Sequence, residues 1–100
     1  MNYRIVRAAS AELEETVAYY NRQVPGLGYE FAEAVDRIQD FPHAWPRFEN
    51  TIRRYRLARF PYGVVYHIQD DTLLIVGLMH LAMDPAPWRE RMRGIDEPNN

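Results

Sequence analysis

Two apolar runs, residues 62–69 and 73–80, flank the short polar stretch Gln69-Asp70-Asp71-Thr72. Runs rich in Val, Ile, Tyr and Leu on either side of so tight a polar break read as the two strands of a β-hairpin. This hairpin constrains the rest of the chain, because every other apolar stripe must find a sheet face to cover. Residues 2–7, with Tyr3-Arg4-Ile5-Val6, and residues 52–60 read as two further strands. Pro61 stands between residues 60 and 62 and cannot donate to a ladder, so an edge, bend or bulge is expected there.

The first half of the chain has helical spacing. Ser10 is a suitable N-cap, and Glu12, Glu14 and Glu15 suit the positive end of a helix over 10–23. Leu13, Val17 and Tyr20 form its apolar stripe. Val24-Pro25-Gly26 breaks it. A second helix is expected over 26–41, with Leu27, Phe31, Ala34, Ile38 and Phe41 as its stripe and Pro42 as its stop. The two should form an antiparallel hairpin. His43 to Asn50 reads as a loop. Residues 85–93 suit a short helix with Pro87 near its first turn, and residues 94–100 a flexible tail. The order is β-α-α-β-β-β: an α+β fold with a helical hairpin packed on a mainly antiparallel four-stranded sheet. Leu13, Val17, Tyr20, Phe31, Ile38, Phe41, Val64, Tyr66, Ile75 and Leu78 are the expected core. Residues 1–93 form one domain.

Composition narrows the function classes. There are no cysteines, which removes disulfides, thiolate metal sites and a cysteine nucleophile, and fits a reducing cytoplasm. The three histidines show no ligand-like spacing, so neither a metal nor a cofactor is expected. No secretory leader pattern opens the chain and no apolar run approaches the roughly 20 residues of a membrane span. A net charge of −2 argues against a general nucleic-acid binder. All twelve basic residues are arginine, and Arg47, Arg53, Arg54, Arg56 and Arg59 crowd the middle of the chain. An acidic protein can still present a basic face.

Arg59-Phe60-Pro61-Tyr62-Gly63-Val64-Val65-Tyr66, then Ile75-Val76-Gly77-Leu78-Met79-His80, then Asp84-Pro85-Ala86-Pro87-Trp88-Arg89-Glu90-Arg91, resembles the C-terminal half of RelE/ParE-superfamily toxins. That superfamily follows an R-F-P-Y-x-[IV]-x-Y strand with an I-x-x-V-x-H strand and an R-[RK]-x-P-x-x-W-x-x-R exit. One departure matters: Ala82 and Met83 stand where basic residues usually follow the histidine. The resemblance implies the same fold and a toxin of a bacterial type II toxin–antitoxin pair, neutralised by a small antitoxin. The poor catalytic inventory and the two long helices favour the ParE branch, whose members are thought to bind DNA gyrase. An mRNA-cleaving endoribonuclease of the RelE kind is the alternative, and a non-toxic relative that keeps only a peptide-binding fold is the second.

Candidate residues follow from both arguments. Strict alternation puts Arg54 and Arg56 on one strand face and Arg53 and Arg59 on the other. Arg56, Arg59 and His80 are the catalytic candidates, because RNA cleavage needs positive charge at the phosphate and a proton acceptor. Arg54, Arg56, Arg59 and Arg91 suit the acids of a partner peptide, and Met79, Leu81, Met83 and Trp88 its apolar anchors. Tyr62 and Tyr66 read as core packing. The implied partners are an antitoxin and DNA gyrase; RNA or the ribosome belongs to the alternative. No membrane partner is expected, and a homodimer stays open.

Overall fold

The structure, a computed structural model, describes residues 1–49 and 51–82. The chain runs β1 (Asn2–Ile5), α1 (Arg7–Gln23), α2 (Leu27–Asp36), a 3₁₀ turn (Arg37–Gln39), β2 (Arg47–Glu49), β3 (Ile52–Arg56), β4 (Tyr62–Gln69) and β5 (Thr72–His80). The strands form one sheet in the order β1-β5-β4-β3-β2. β1 lies parallel to β5, and the other neighbours are antiparallel. The expected α+β architecture is therefore present, with the four expected strands and both helices. The three-residue β2 extends the edge of the sheet into the segment read as a loop.

Local chemistry explains where the elements start and stop. α1 begins at Arg7, ahead of the expected Ser10 cap. The extended Val6 hands the chain over: its N–H donates to the Ile75 carbonyl (3.0 Å), and its own carbonyl accepts from the Ser10 N–H (2.9 Å). Ser10 thus lies in the first turn, not at the cap. At the other end, Gly26 adopts φ 90°, a left-handed value that glycine tolerates without strain. The Asn21 Oδ1 reaches across from α1 and accepts the N–H groups of Gly26 (3.1 Å) and Gly28 (2.8 Å). These are donors that the start of α2 would otherwise leave bare.

The helical hairpin covers one face of the sheet. Phe31, Val35 and Ile38 are buried there with Val64, Tyr66, Leu73, Ile75 and Leu78. Tyr20, Phe31, Phe60 and Tyr62 form an aromatic cluster with ring centroids 5.0–5.6 Å apart. Such pairs add to their area burial about 0.5–1.5 kcal/mol each. Phe41 departs from expectation: it is 74% exposed. The α-helical register ends at Asp36, and the tighter 3₁₀ turn that follows shifts the later positions. Ile38 stays inside, and Phe41 is carried out of the core.

Two further boundaries differ. β3 ends at Arg56 rather than residue 60, and residues 57–61 form the turn, closed by Leu57 N–H donating to the Tyr62 carbonyl (3.0 Å). Residues 58–61 bend, as expected around Pro61. A bulge lies in β5, where Val65 pairs with Gly77 but Tyr66 with Ile75, leaving Val76 as the extra residue, and the β2–β3 register shifts between Arg47 and Glu49. The β4–β5 turn has two residues, and Asp70 takes φ 55°, which an aspartate tolerates.

The opposite face of the sheet is buried at its centre. Ile52, Val65, Val76 and Met79 are all 2% exposed or less. The near-continuous apolar composition of β4 and β5 is the sequence correlate of strands buried on both faces.

Candidate partner-binding face

Sheet register assigns each arginine a side. Arg53 pairs with Tyr66 and Tyr55 with Val64, so both lie on the helix-covered face. Arg54 pairs with Val65 and Arg56 with Gly63, so both lie on the opposite face. Arg53 is spent on structure. Its Nη1 donates to the Trp45 carbonyl and to the His43 carbonyl (3.3 Å). Nearby, the Tyr66 hydroxyl donates to the Pro42 carbonyl (2.5 Å), and Trp45 packs on Tyr55 with ring centroids 5.2 Å apart. Together they tie the segment after the 3₁₀ turn to the sheet. Burial pushes the Tyr66 phenol up to about 12, and the Arg53 charge opposes this only partly.

On the opposite face Arg54 crosses β4 in a slot made by Gly63. A Cβ on Gly63 would stand 2.9 Å from Arg54 Cγ, 3.0 Å from Arg54 Cδ and 3.5 Å from Leu81 Cδ2. The aliphatic stem of Arg54 therefore lies against the strand beside Leu81, as arginine stems do on apolar surfaces. Both residues are half-buried, and Arg56 beside them is exposed. Gly63 pairs onward with Met79, which is 2% exposed. Met79 is thus part of the floor under this patch rather than a surface anchor. A glycine inside a strand is the sequence signal for such a close approach.

Of the three catalytic candidates, Arg56 and His80 lie on opposite faces of the sheet. His80 pairs with Tyr62 on the helix-covered face, with ring centroids 5.1 Å apart. Its Nδ1 accepts the Ala82 N–H (3.2 Å), which leaves Nε2 to carry the proton of the neutral ring. Arg56 lies on the other face. Arg59 sits in the β3–β4 turn, where its Nη1 bonds Glu30 Oε1 of α2 at 2.8 Å and its guanidinium lies 5.7 Å from the Phe60 ring centroid. Glu30 as the partner of Arg59 is not legible from the sequence, since the two are 29 positions apart. A shallow cleft of about 120 Å³ beside this pair is lined by Glu30, Glu33, Arg37, Tyr55 and Arg59 among others. The lining mixes charges of both signs and gives no concentrated phosphate site.

Met83, Trp88 and Arg91, the remaining expected contact residues, lie outside the described residues, as do the short 85–93 helix and the domain boundary at residue 93. Among the described residues no three His, Asp or Glu side chains cluster as metal ligands would. No helix among them is long and apolar enough to cross a membrane.

The sequence model of the ParE toxins of the type II toxin–antitoxin system parDE matches residues 3–85. The chain belongs to the ParE toxin family. A solved structure described as the chromosomal ParDE toxin–antitoxin system from P. aeruginosa is similar in fold, with a TM-score of 0.66 at 16% identity. The match covers 81% of this chain and 96% of that one. No curated protein matches the chain in sequence. The matched region of this ParE-family chain spans the arginine-bearing β3, the Arg54–Gly63–Leu81 patch and His80.

Proposed function

We propose that this ParE-family chain is the toxin of a type II pair, held inactive by its own small antitoxin, and that it acts by binding a protein target such as DNA gyrase. The observation that carries this reading is the separation of Arg56 from His80. Arg56 and His80 emerge on opposite faces of the sheet, and Arg59 sits in the β3–β4 turn in an exposed pair with Glu30. A phosphodiester-cleaving site needs its cation and its proton acceptor within reach of one phosphate. Ala82 is exposed and uncharged where superfamily relatives usually carry a basic residue.

The antitoxin, in this reading, docks on the face that carries Arg54, Arg56 and Leu81, and reaches on to Met83, Trp88 and Arg91. Apolar contacts dominate its affinity and the arginines set its register, because exposed ion pairs contribute only about 0–1 kcal/mol each. Met79 supports this face from beneath.

Induced expression with and without the neighbouring gene tests the proposal. Growth arrest with intact mRNA, relieved by the neighbouring gene and accompanied by gyrase inhibition in a supercoiling assay, is the expected result. Arrest with cleaved mRNA would establish an endoribonuclease, and no arrest would establish a non-toxic relative.

A further inference from the structure

A second polar site lies on the same sheet face, at the end away from Arg56. Register builds it in rows. Arg4 of β1 pairs with Leu74 of β5, and Leu74 with His67 of β4; in the next row Thr72 pairs with Gln69. Arg4, His67, Gln69, Thr72 and Leu74, with Asp70 of the turn, line a cleft of about 200 Å³. His67 is the unusual member. It is 6% exposed, and its Nδ1 lies 2.8 Å from Thr51 Oγ1. Among the described residues its Nε2 has no partner, and the side chains of Arg4, Gln69 and Thr72 make no hydrogen bond or ion pair. A buried imidazole nitrogen without a partner is costly unless something polar meets it.

We propose that Arg4, His67, Gln69 and Thr72 form a receptor for one carboxylate, presented by an Asp or Glu side chain of a peptide. All four offer donors. When the Thr51 hydroxyl donates to Nδ1, the neutral ring carries its proton on Nε2. Arg4 supplies the one full positive charge, and a carboxylate has two oxygens and about four lone-pair sites to receive these donors. Asp70, which also lines the cleft, opposes any anion there and opposes a phosphate dianion more than a single carboxylate. Leu74 supplies an apolar wall for the methylenes behind a side-chain carboxylate. This site is independent of the Arg54–Arg56 patch and of the toxin reading.

The test is NMR of the His67 ring in the full chain, titrated with an acetylated, amidated Gly-Glu-Gly peptide. Matched Gly-Gln-Gly peptide, sodium acetate and inorganic phosphate are run beside it. The expected result is a saturable His67 shift with the Glu peptide, with His43 and His80 unmoved. The affinity should fall about tenfold or more in Arg4→Gln, which lies on an exposed edge strand, and measurably in Thr72→Val. An equal response to the Gln peptide, binding of acetate or phosphate as tight as that of the Glu peptide, or unchanged affinity in folded Arg4→Gln would overturn the assignment.

Discussion

The Glu12 Oε1 accepts the backbone N–H of Leu78 at 3.2 Å, linking α1 to β5 across 66 positions of sequence. β1 pairs with β5 only as far as Ile75. Beyond it the outer edge of β5 needs another acceptor, and α1 delivers a carboxylate there. Replacing Glu12 by alanine leaves that part-buried amide unmet and should cost about 1–3 kcal/mol. Glu12→Gln keeps an acceptor oxygen and should cost less. Urea unfolding of the two variants checks the order, and equal losses would show that the bond contributes nothing.

The helical hairpin has a point of closest approach at Gly28. A Cβ there would stand 2.1 Å from the Val17 carbonyl oxygen, which is backbone and cannot rotate away. Gly28→Ala should therefore cost at least the roughly 1–3 kcal/mol of an overpacked core. Asn21→Ala strips the acceptor from two amides at the start of α2 and should cost about 1–2 kcal/mol. Thermal melts of both are the measurement. A Gly28→Ala variant as stable as the parent would mean the helices separate freely.

Alkaline stability should depend on Tyr66. Its folded pKa, about 12, stands above the ordinary 10.0 because the phenol is buried. Between these values the unfolded chain has released the proton while the folded chain holds it. The unfolded state then binds fewer protons, so stability falls as pH rises through this window and is unaffected below it. Tyr66→Phe should flatten the fall while losing about 1 kcal/mol at neutral pH with the bond to the Pro42 carbonyl. Some slope should persist, since burial also raises Tyr20, and burial together with Asp36 raises Tyr3. Denaturation midpoints across the alkaline range in both proteins decide this.

These features show what pattern alone conveys. The spacing of Phe31 and Ile38 identified the buried stripe because helical periodicity is local. Phe41 fell outside it because one 3₁₀ turn, invisible in composition, changed the register. Alternation correctly paired Arg54 with Arg56, since β3 has no bulge. It did not reveal the depth of Met79, because alternation describes one buried face and β5 is buried on two. The apolar run from Leu73 to Met79 carried that information. The separation of His80 from Arg56 required knowing that β4 lies between their strands. The Arg4–His67 cleft likewise exists only once β1 is placed beside β5, a parallel pairing that no local signal specifies.

The last prediction concerns His80. In the fold it serves structure: its ring meets Tyr62 edge-on, and its Nδ1 holds the turn at Ala82. If the protein acts by binding, His80→Ala should keep growth arrest and antitoxin binding, at the cost of some stability near the end of β5. The purified parent should cleave no mRNA, with or without ribosomes. Loss of a single preorganised donor costs an acyl-transfer enzyme about 3–4 kcal/mol of transition-state stabilisation, or roughly a hundred- to thousandfold in rate. A chain with Ala82 and Met83 in place of two such donors should therefore be far too slow for an endoribonuclease. Comparing the parent with Ala82→Arg/Met83→Arg and with His80→Ala, by primer extension on ribosome-bound mRNA, separates the cases. Cleavage by the parent that vanishes in His80→Ala, with that variant folded, would make His80 a proton carrier after all. Silent parent and silent His80→Ala, both arresting growth, is the outcome the opposed faces of β3 and β5 lead us to expect.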